Sequence, residues 1–246
     1  VGSLVAFGGD RSKGEGYARH VDWLNALVTP EEIALHRFVE SPLANPSVML
    51  RRKLVARHGG CREGNFPEDY ELWLRWLHAG VRMAKVPRVL LTWNDAPTRL
   101  TRTDPRYGPE AFFRMKAEWI AKWLAKEFGG GNSEARKPGS IHGFLASESS
   151  MVRPVWVWGA GRHTRKRAEH LEAHGVRIAG YIDVDAKKTG RGIGGTGRPV
   201  IGAEALPLPG EIFVLSYVTT RGARDYNRNA LNARGYREGR DFLMCA

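Results

Sequence analysis

Cysteine is scarce in this chain: Cys61 and Cys245 alone among 246 residues cannot build a disulfide scaffold, and no Cys/His spacing suggests a zinc site. No apolar run approaches the roughly 20 residues that a membrane-spanning helix requires. No signal-peptide pattern is visible and no internal repeat is evident, so a cytoplasmic location fits best. Acidic side chains are also short, with 26 Asp and Glu against 38 Lys and Arg, and the formal net charge is +12. That excess needs anions, but the basic residues are spread over both halves without a zinc-finger, RRM or helix-turn-helix signature. Nucleic acid is therefore not the expected partner. Phosphorylated donors or an anionic membrane face serve the charge as well, the latter making the protein peripheral to the inner membrane. With 42% hydrophobic and 10% aromatic residues, the chain can bury one large or two small cores.

What is present is most concentrated in Pro67-Glu68-Asp69-Tyr70-Glu71-Leu72-Trp73-Leu74-Arg75. Tyr70, Trp73, Leu74 and Leu77 fall at helical spacing, which predicts an amphipathic helix with one buried face, ended by Gly80. Glu68 and Asp69 thus sit where a loop turns into a helix at the edge of the core. Two readings compete. Acids in a first helical turn offset the macrodipole, proline is favoured at a helix start, and Glu71 with Arg75 makes an ordinary i, i+4 pair. Alternatively, a carboxylate so placed is a general base, and repulsion within the pair would raise one pKa toward neutrality.

The flanking residues shift the balance. Upstream lie Ser41-Pro42-Leu43-Ala44-Asn45-Pro46-Ser47-Val48-Met49-Leu50-Arg51-Arg52 and Gly59-Gly60-Cys61-Arg62-Glu63-Gly64. Downstream come Gly80-Val81-Arg82-Met83-Ala84-Lys85-Val86-Pro87 and Val89-Leu90-Leu91-Thr92-Trp93. A strand ending in Arg-Arg, a Gly-Gly turn, Glu-Asp at a helix start and a following strand pair occur in that order. Over about residues 38 to 124 this closely resembles the C-terminal half of the catalytic domain of bacterial-type family 2 glycosyltransferases.

The resemblance implies a GT-A fold and an inverting transfer of a sugar from a nucleotide-sugar donor to a hydroxyl of a saccharide or lipid-linked acceptor, in cell-surface polysaccharide biosynthesis. It makes Asp69 the base and Glu68 its neighbour in the acidic motif. The leaving nucleoside diphosphate would need cations or a metal. Arg51, Arg52, Arg99 and Arg102 are the candidates, with Trp93 opening the loop that carries the last two; solvated surface is the competing reading for each arginine. Asn45 stands where related sequences often carry His.

The first nucleotide-binding strands of a GT-A domain and its Asp-x-Asp motif have no counterpart, and Val1-Gly2-Ser3-Leu4-Val5-Ala6-Phe7 reads as an interior strand entered midway. The chain is accordingly expected to be a fragment, with the ligands for the Mg²⁺ or Mn²⁺ of the full-length enzyme absent. Asp183-Val184-Asp185 has the spacing, but it ends the second strand of a different domain.

That domain is announced by a change in composition. Pro109 to Phe128, with Phe112, Met115, Trp119, Ile120, Trp123 and Leu124 on one side, predicts the closing helix of a first domain spanning 1–128. Residues 129–152 are rich in Gly, Ser and charge and read as a linker. From 153 to 246 the pattern is Rossmann-like: a strand into the turn Gly159-Ala160-Gly161-Arg162, a helix to about His174, a strand from Val176 to Ile182 ending at Asp183, and a strand from Ile212 to Val218 before a helix through Ala233. Gly159 and Gly161 would admit a phosphate to the helix N-terminus, Arg162 would meet an anion, and Asp183 would accept ribose hydroxyls. Thr164 occupies the place of the third glycine, so nucleotide binding and inert packing both stand. No Tyr-x-x-x-Lys pair follows, which argues against hydride transfer.

The fold class expected is α/β, a partial GT-A-like domain followed by a small Rossmann-like parallel-sheet domain. The alternative to a transferase is a non-catalytic nucleotide-binding or regulatory protein using that second domain.

Overall fold

The computed structural model describes residues 1–96, 98–128, 153–193 and 196–246. Two parallel strands, β1 (Gly2–Gly8) and β2 (Lys85–Asn94), anchor the first part of the chain. Their register slips between Ser3 and Val5, where β2 supplies the unmatched residues Pro87, Arg88 and Leu90. Proline has no N–H for a ladder, so the strand bulges there and continues. One strand thus stands where the sequence predicts a pair.

Helix α1 (Glu15–Asn25) covers β1, packing Val21 and Leu24 against Val5 and Ala44. The Asn25 amide brackets Val5, accepting from its N–H at 3.0 Å and donating to its carbonyl at 2.8 Å. Helix α2 (Pro30–His36) starts in a capping box built by Thr29 and Glu32. A short 3₁₀ turn, Asn45–Ser47, precedes α3 (Arg52–His58). Among the described residues the strand predicted to end at Arg51-Arg52 is absent: Val48 and Arg51 are extended, but Met49 exchanges backbone hydrogen bonds there with Val1 alone, and Arg52 already belongs to α3.

Helix α4 (Glu68–His78) buries Tyr70, Trp73, Leu74 and Leu77, as their spacing predicts. It also buries Glu71, Leu72, Arg75 and Trp76, so the expectation of a single buried face is corrected: α4 is enclosed all round. Gly80, at φ +84°, takes the left-handed turn that stops it. After β2 come α5 (Leu100–Thr103), a 3₁₀ turn Pro105–Tyr107 and α6 (Pro109–Phe128).

The second sheet contains five strands, all parallel, in the order β5-β4-β3-β6-β7. They are β3 (Val155–Trp158), β4 (Ile178–Ile182), β5 (Val200–Ile201), β6 (Phe213–Ser216) and β7 (Phe242–Met244). Helix α7 (Arg162–Ala173) connects β3 to β4, and α8 (Ala223–Asn232) connects β6 to β7. All but Ile201 of β5 through β7 are buried, as expected for parallel strands covered on both faces. The strand order reverses between β3 and β6, which opens a crevice at their C-terminal ends.

Two compact units divide at Lys116 and Ala117, inside α6, whereas the sequence places the boundary at 128. The reason is chemical. Lys116 donates to the Phe38 and Val39 carbonyls of the first unit at 3.1 and 3.2 Å, while Trp123 and Phe128 set their rings 5.6 and 5.1 Å from Phe213 of the second. Phe113, Ala117 and Ala121 are buried as well, beside the predicted stripe. The predicted linker, 129–152, lies outside the described residues. No helix among the described residues is long and apolar enough to cross a membrane.

Candidate active site

Glu68 and Asp69 are the first two residues of α4, with Pro67 in the N-cap position and no side-chain cap before them. The helix therefore opens with unsatisfied N–H groups. Asp69 Oδ1 accepts from the Tyr70 N–H at 2.7 Å, so part of its role is that of a capping acid. Yet burial disfavours its anion more strongly than this hydrogen bond favours it, and with the charges of Glu68 and Glu40 nearby its carboxyl is pushed up to about 6. The two readings of the sequence are thus compatible in one residue. Asp69 caps the helix and is still poised near neutral pH.

Glu68 is held differently. The Tyr107 hydroxyl donates to its carboxylate, lying 2.8 and 2.6 Å from the two oxygens. Burial, this hydrogen bond and the charge of Glu68 all push the Tyr107 hydroxyl above its ordinary range, which keeps it protonated as a donor. Tyr107 is a member of the site that the sequence did not single out. It lies far along the chain in a 3₁₀ turn with no motif around it, and only folding brings it to α4. Glu40 arrives in the same way: the Tyr70 hydroxyl donates to the Arg37 carbonyl at 2.6 Å, and with Lys116 it fixes the turn after α2.

One turn further along α4, Glu71 and Arg75 form the i, i+4 pair expected from their spacing, at 3.2 Å, and the pair is buried, with the two residues 3% and 7% exposed. Arg75 is drawn inward because its guanidinium has carbonyl acceptors there: it donates to His58 and, at 2.5 Å, to Gly60. Trp76 adds a hydrogen bond from Nε1 to the Gly59 carbonyl at 3.1 Å. This clamp fixes the Gly-Gly turn that presents Cys61 to the acidic pair. The Cys61 thiol is pushed up by burial and by the charges of Glu68 and Asp69.

The residues proposed for the leaving diphosphate are not gathered at Asp69. Arg99 lies over the rings of Tyr17 and Trp93, at 4.0 and 5.1 Å from their centroids, and pairs with Asp95 at 3.7 Å. Arg102 holds both oxygens of the same Asp95 at 2.7 Å. Both cations are therefore already engaged by one carboxylate, which leaves the cluster a net positive charge, and Trp93 is a wall of their aromatic cage. Arg51 is exposed at the N-cap of α3, and Asn45 is exposed on the 3₁₀ turn before it.

In the second unit, Gly159 adopts φ +116°, and a Cβ there would lie 2.9 Å from Thr164 Cγ2 and from Val218 Cγ2. The residue at the third glycine's place thus fills the turn, and packing alone requires Gly159. Gly161 has an ordinary φ of −67° and open space around its Cα, with Arg162 exposed after it at the start of α7. Asp183 accepts from the Ala160 N–H at 2.8 Å and the Asp185 N–H at 2.9 Å and pairs with Lys188 at 3.2 Å. Burial opposes ionisation of Asp183, but these partners together hold its carboxyl below the usual range. Its carboxylate ties the ends of β3 and β4 together rather than standing free at the crevice.

Among the described residues, no group of three His, Cys, Asp or Glu is placed to hold a metal ion. Compared with protein families, with curated proteins and with solved structures, the chain matches none.

Proposed function

We propose that the first unit is the acceptor-side part of a GT-A-like domain of a family 2 glycosyltransferase, and that Asp69 is its general base. The observation that carries this reading is the Asp69 carboxyl, pushed up to about 6 by burial at the start of a rigid, enclosed helix. Such a group is ionised at neutral pH and basic enough to take a proton as an acceptor oxygen attacks. In the reaction, the acceptor hydroxyl gives its proton to Asp69 while its oxygen bonds to the anomeric carbon. The bond from that carbon to the diphosphate breaks on the opposite side, which inverts the configuration. Glu68, beside Asp69 and oriented by Tyr107, opposes loss of the proton to bulk solvent and favours its retention on Asp69.

The test is nucleoside diphosphate release from a panel of nucleotide sugars with saccharide and lipid-linked acceptors, for the full-length protein that includes the donor-binding half and for its Asp69→Asn variant. The substitution is expected to lower the rate about 10²- to 10⁴-fold, the usual contribution of a positioned base. In the unsubstituted full-length protein kcat/KM should rise with pH through about 6 and then level, because the base must be unprotonated. Substantial transfer by Asp69→Asn would remove Asp69 from this role.

A further inference from the structure

We infer that the face formed by Val48 to His58 docks the protein onto an anionic lipid bilayer. The feature is an interfacial surface in which protruding apolar side chains alternate with cations. Met49 is 81% exposed, Leu50 42% and Val55 37%. None of α3 is buried, although it carries Leu54, Val55 and Ala56. Leu54 is partly buried, whereas Val55 and Ala56 face water.

The charges point the same way. Arg11, Arg19, Arg62, Arg82 and Arg106 in the same unit each pair with a carboxylate. The side chains of Arg51, Arg52, Lys53 and Arg57 make no hydrogen bond or ion pair among the described residues. Beside α3 runs a cleft of about 890 Å³, floored by Trp73 and Trp76 and walled by Leu54, Val81 and Met83. Among the described residues no aspartate or glutamate lines it, while Arg51, Lys53 and Arg57 do.

A bilayer supplies what this face lacks. Its phosphates neutralise the cations, and its acyl boundary takes Met49 and Leu50, the arrangement of a monotopic segment. An acidic protein would answer the cations but not the protruding aliphatic chains, since protein interfaces of that kind are anchored by aromatic side chains and a polar rim. The inference does not depend on the transfer reaction.

Sedimentation of the whole chain with vesicles tests it, using phosphatidylcholine alone and phosphatidylcholine with about 30 mol% phosphatidylglycerol. Binding is expected only to the anionic vesicles. Lys53→Glu/Arg57→Glu and Met49→Ser/Leu50→Ser should each weaken it at least tenfold with unchanged far-UV circular dichroism. Arg177→Glu/Lys187→Glu, the same change of net charge in the second unit, should leave it intact. Equal binding by all variants, or none by the natural chain, would overturn the inference. So would loss on charge reversal alone with full competition by soluble polyglutamate, which would assign the face to an acidic protein.

Discussion

Asp69 retains its proton up to about pH 6 because burial opposes its anion, and this raised value makes a definite demand on stability. Its ordinary pKa is 3.8, so between about 4 and 6 the folded chain binds more protons at this site than the unfolded chain. The contribution of Asp69 is therefore fully present below 3.8 and is lost as pH rises through about 6. At pH 7 its ionisation costs the fold up to about 3 kcal/mol. Asn cannot ionise and keeps an Oδ1 acceptor for the Tyr70 N–H. Asp69→Asn is thus expected to leave Tm unchanged or higher at pH 7, even as it slows the proposed transfer, with the difference vanishing by pH 4 in thermal melts. A large fall in Tm at pH 7 would mean that capping is the dominant role of this carboxylate.

At the scale of elements, two clamps decide how the site is held. Glu71 is the buried counterion of Arg75, and Arg62 reaches it at 3.5 Å from the far side. Glu71→Gln leaves the Arg75 cation buried with weakened compensation, a change that costs about 3 kcal/mol or more. The expected fall in Tm is roughly 6–12 °C, measured at neutral pH. The other clamp is the β3–α7 turn. Gly159→Ala would force a left-handed φ on a residue whose Cβ also meets Thr164 and Val218, and it should destabilise by on the order of 2 kcal/mol. Gly161→Ala, with ordinary backbone and open space, should stay within about 1 kcal/mol in the same denaturant titration. Equal effects at the two glycines would contradict the packing role assigned to the first.

The elements also show how far the residues announce themselves. The periodicity of Tyr70, Trp73, Leu74 and Leu77 located α4, and Gly80 located its end, because local spacing and a left-handed stop are short-range properties. The burial of its remaining face was not legible. The spacing of Glu71 and Arg75 gives their pairing, but their burial depends on the turn at Gly59 and Gly60, which supplies carbonyl acceptors. Pro87 divided the reading of β2 in two, although a bulge accommodates it within one strand. Of the candidate site, Glu68 and Asp69 were legible as a motif; Tyr107 and Glu40 were not, since nothing in their neighbourhoods points to α4.

For the molecule as a whole, the division inside α6 makes a prediction about domain excision. The second unit includes Trp123 and Phe128, whose rings cover the buried Phe213, and Arg153 lies 5.3 Å from the Phe128 ring. A truncated chain beginning at Ala117 should therefore melt cooperatively, whereas one beginning at Arg153 should melt at lower temperature and bind more ANS because the apolar surface around Phe213 is uncovered. Identical melts would place the boundary nearer to 153.

By itself the sequence determined the α/β class, three of the five strands of the second sheet with the turn after β3 and the two helices, the start of α4 and the excess of positive charge, since each is a matter of local pattern or of counting; β5 and β7 were not read from it. Tertiary structure alone decided the rest. It placed Asp69 where burial raises its pKa, brought Tyr107 to Glu68, committed Arg99 and Arg102 to Asp95 and Asp183 to the turn at Ala160, and left Arg51, Arg52, Lys53 and Arg57 without partners among the described residues. The physical reason is that the charge state and availability of a side chain depend on desolvation and on neighbours distant in sequence, neither of which is fixed before the chain folds.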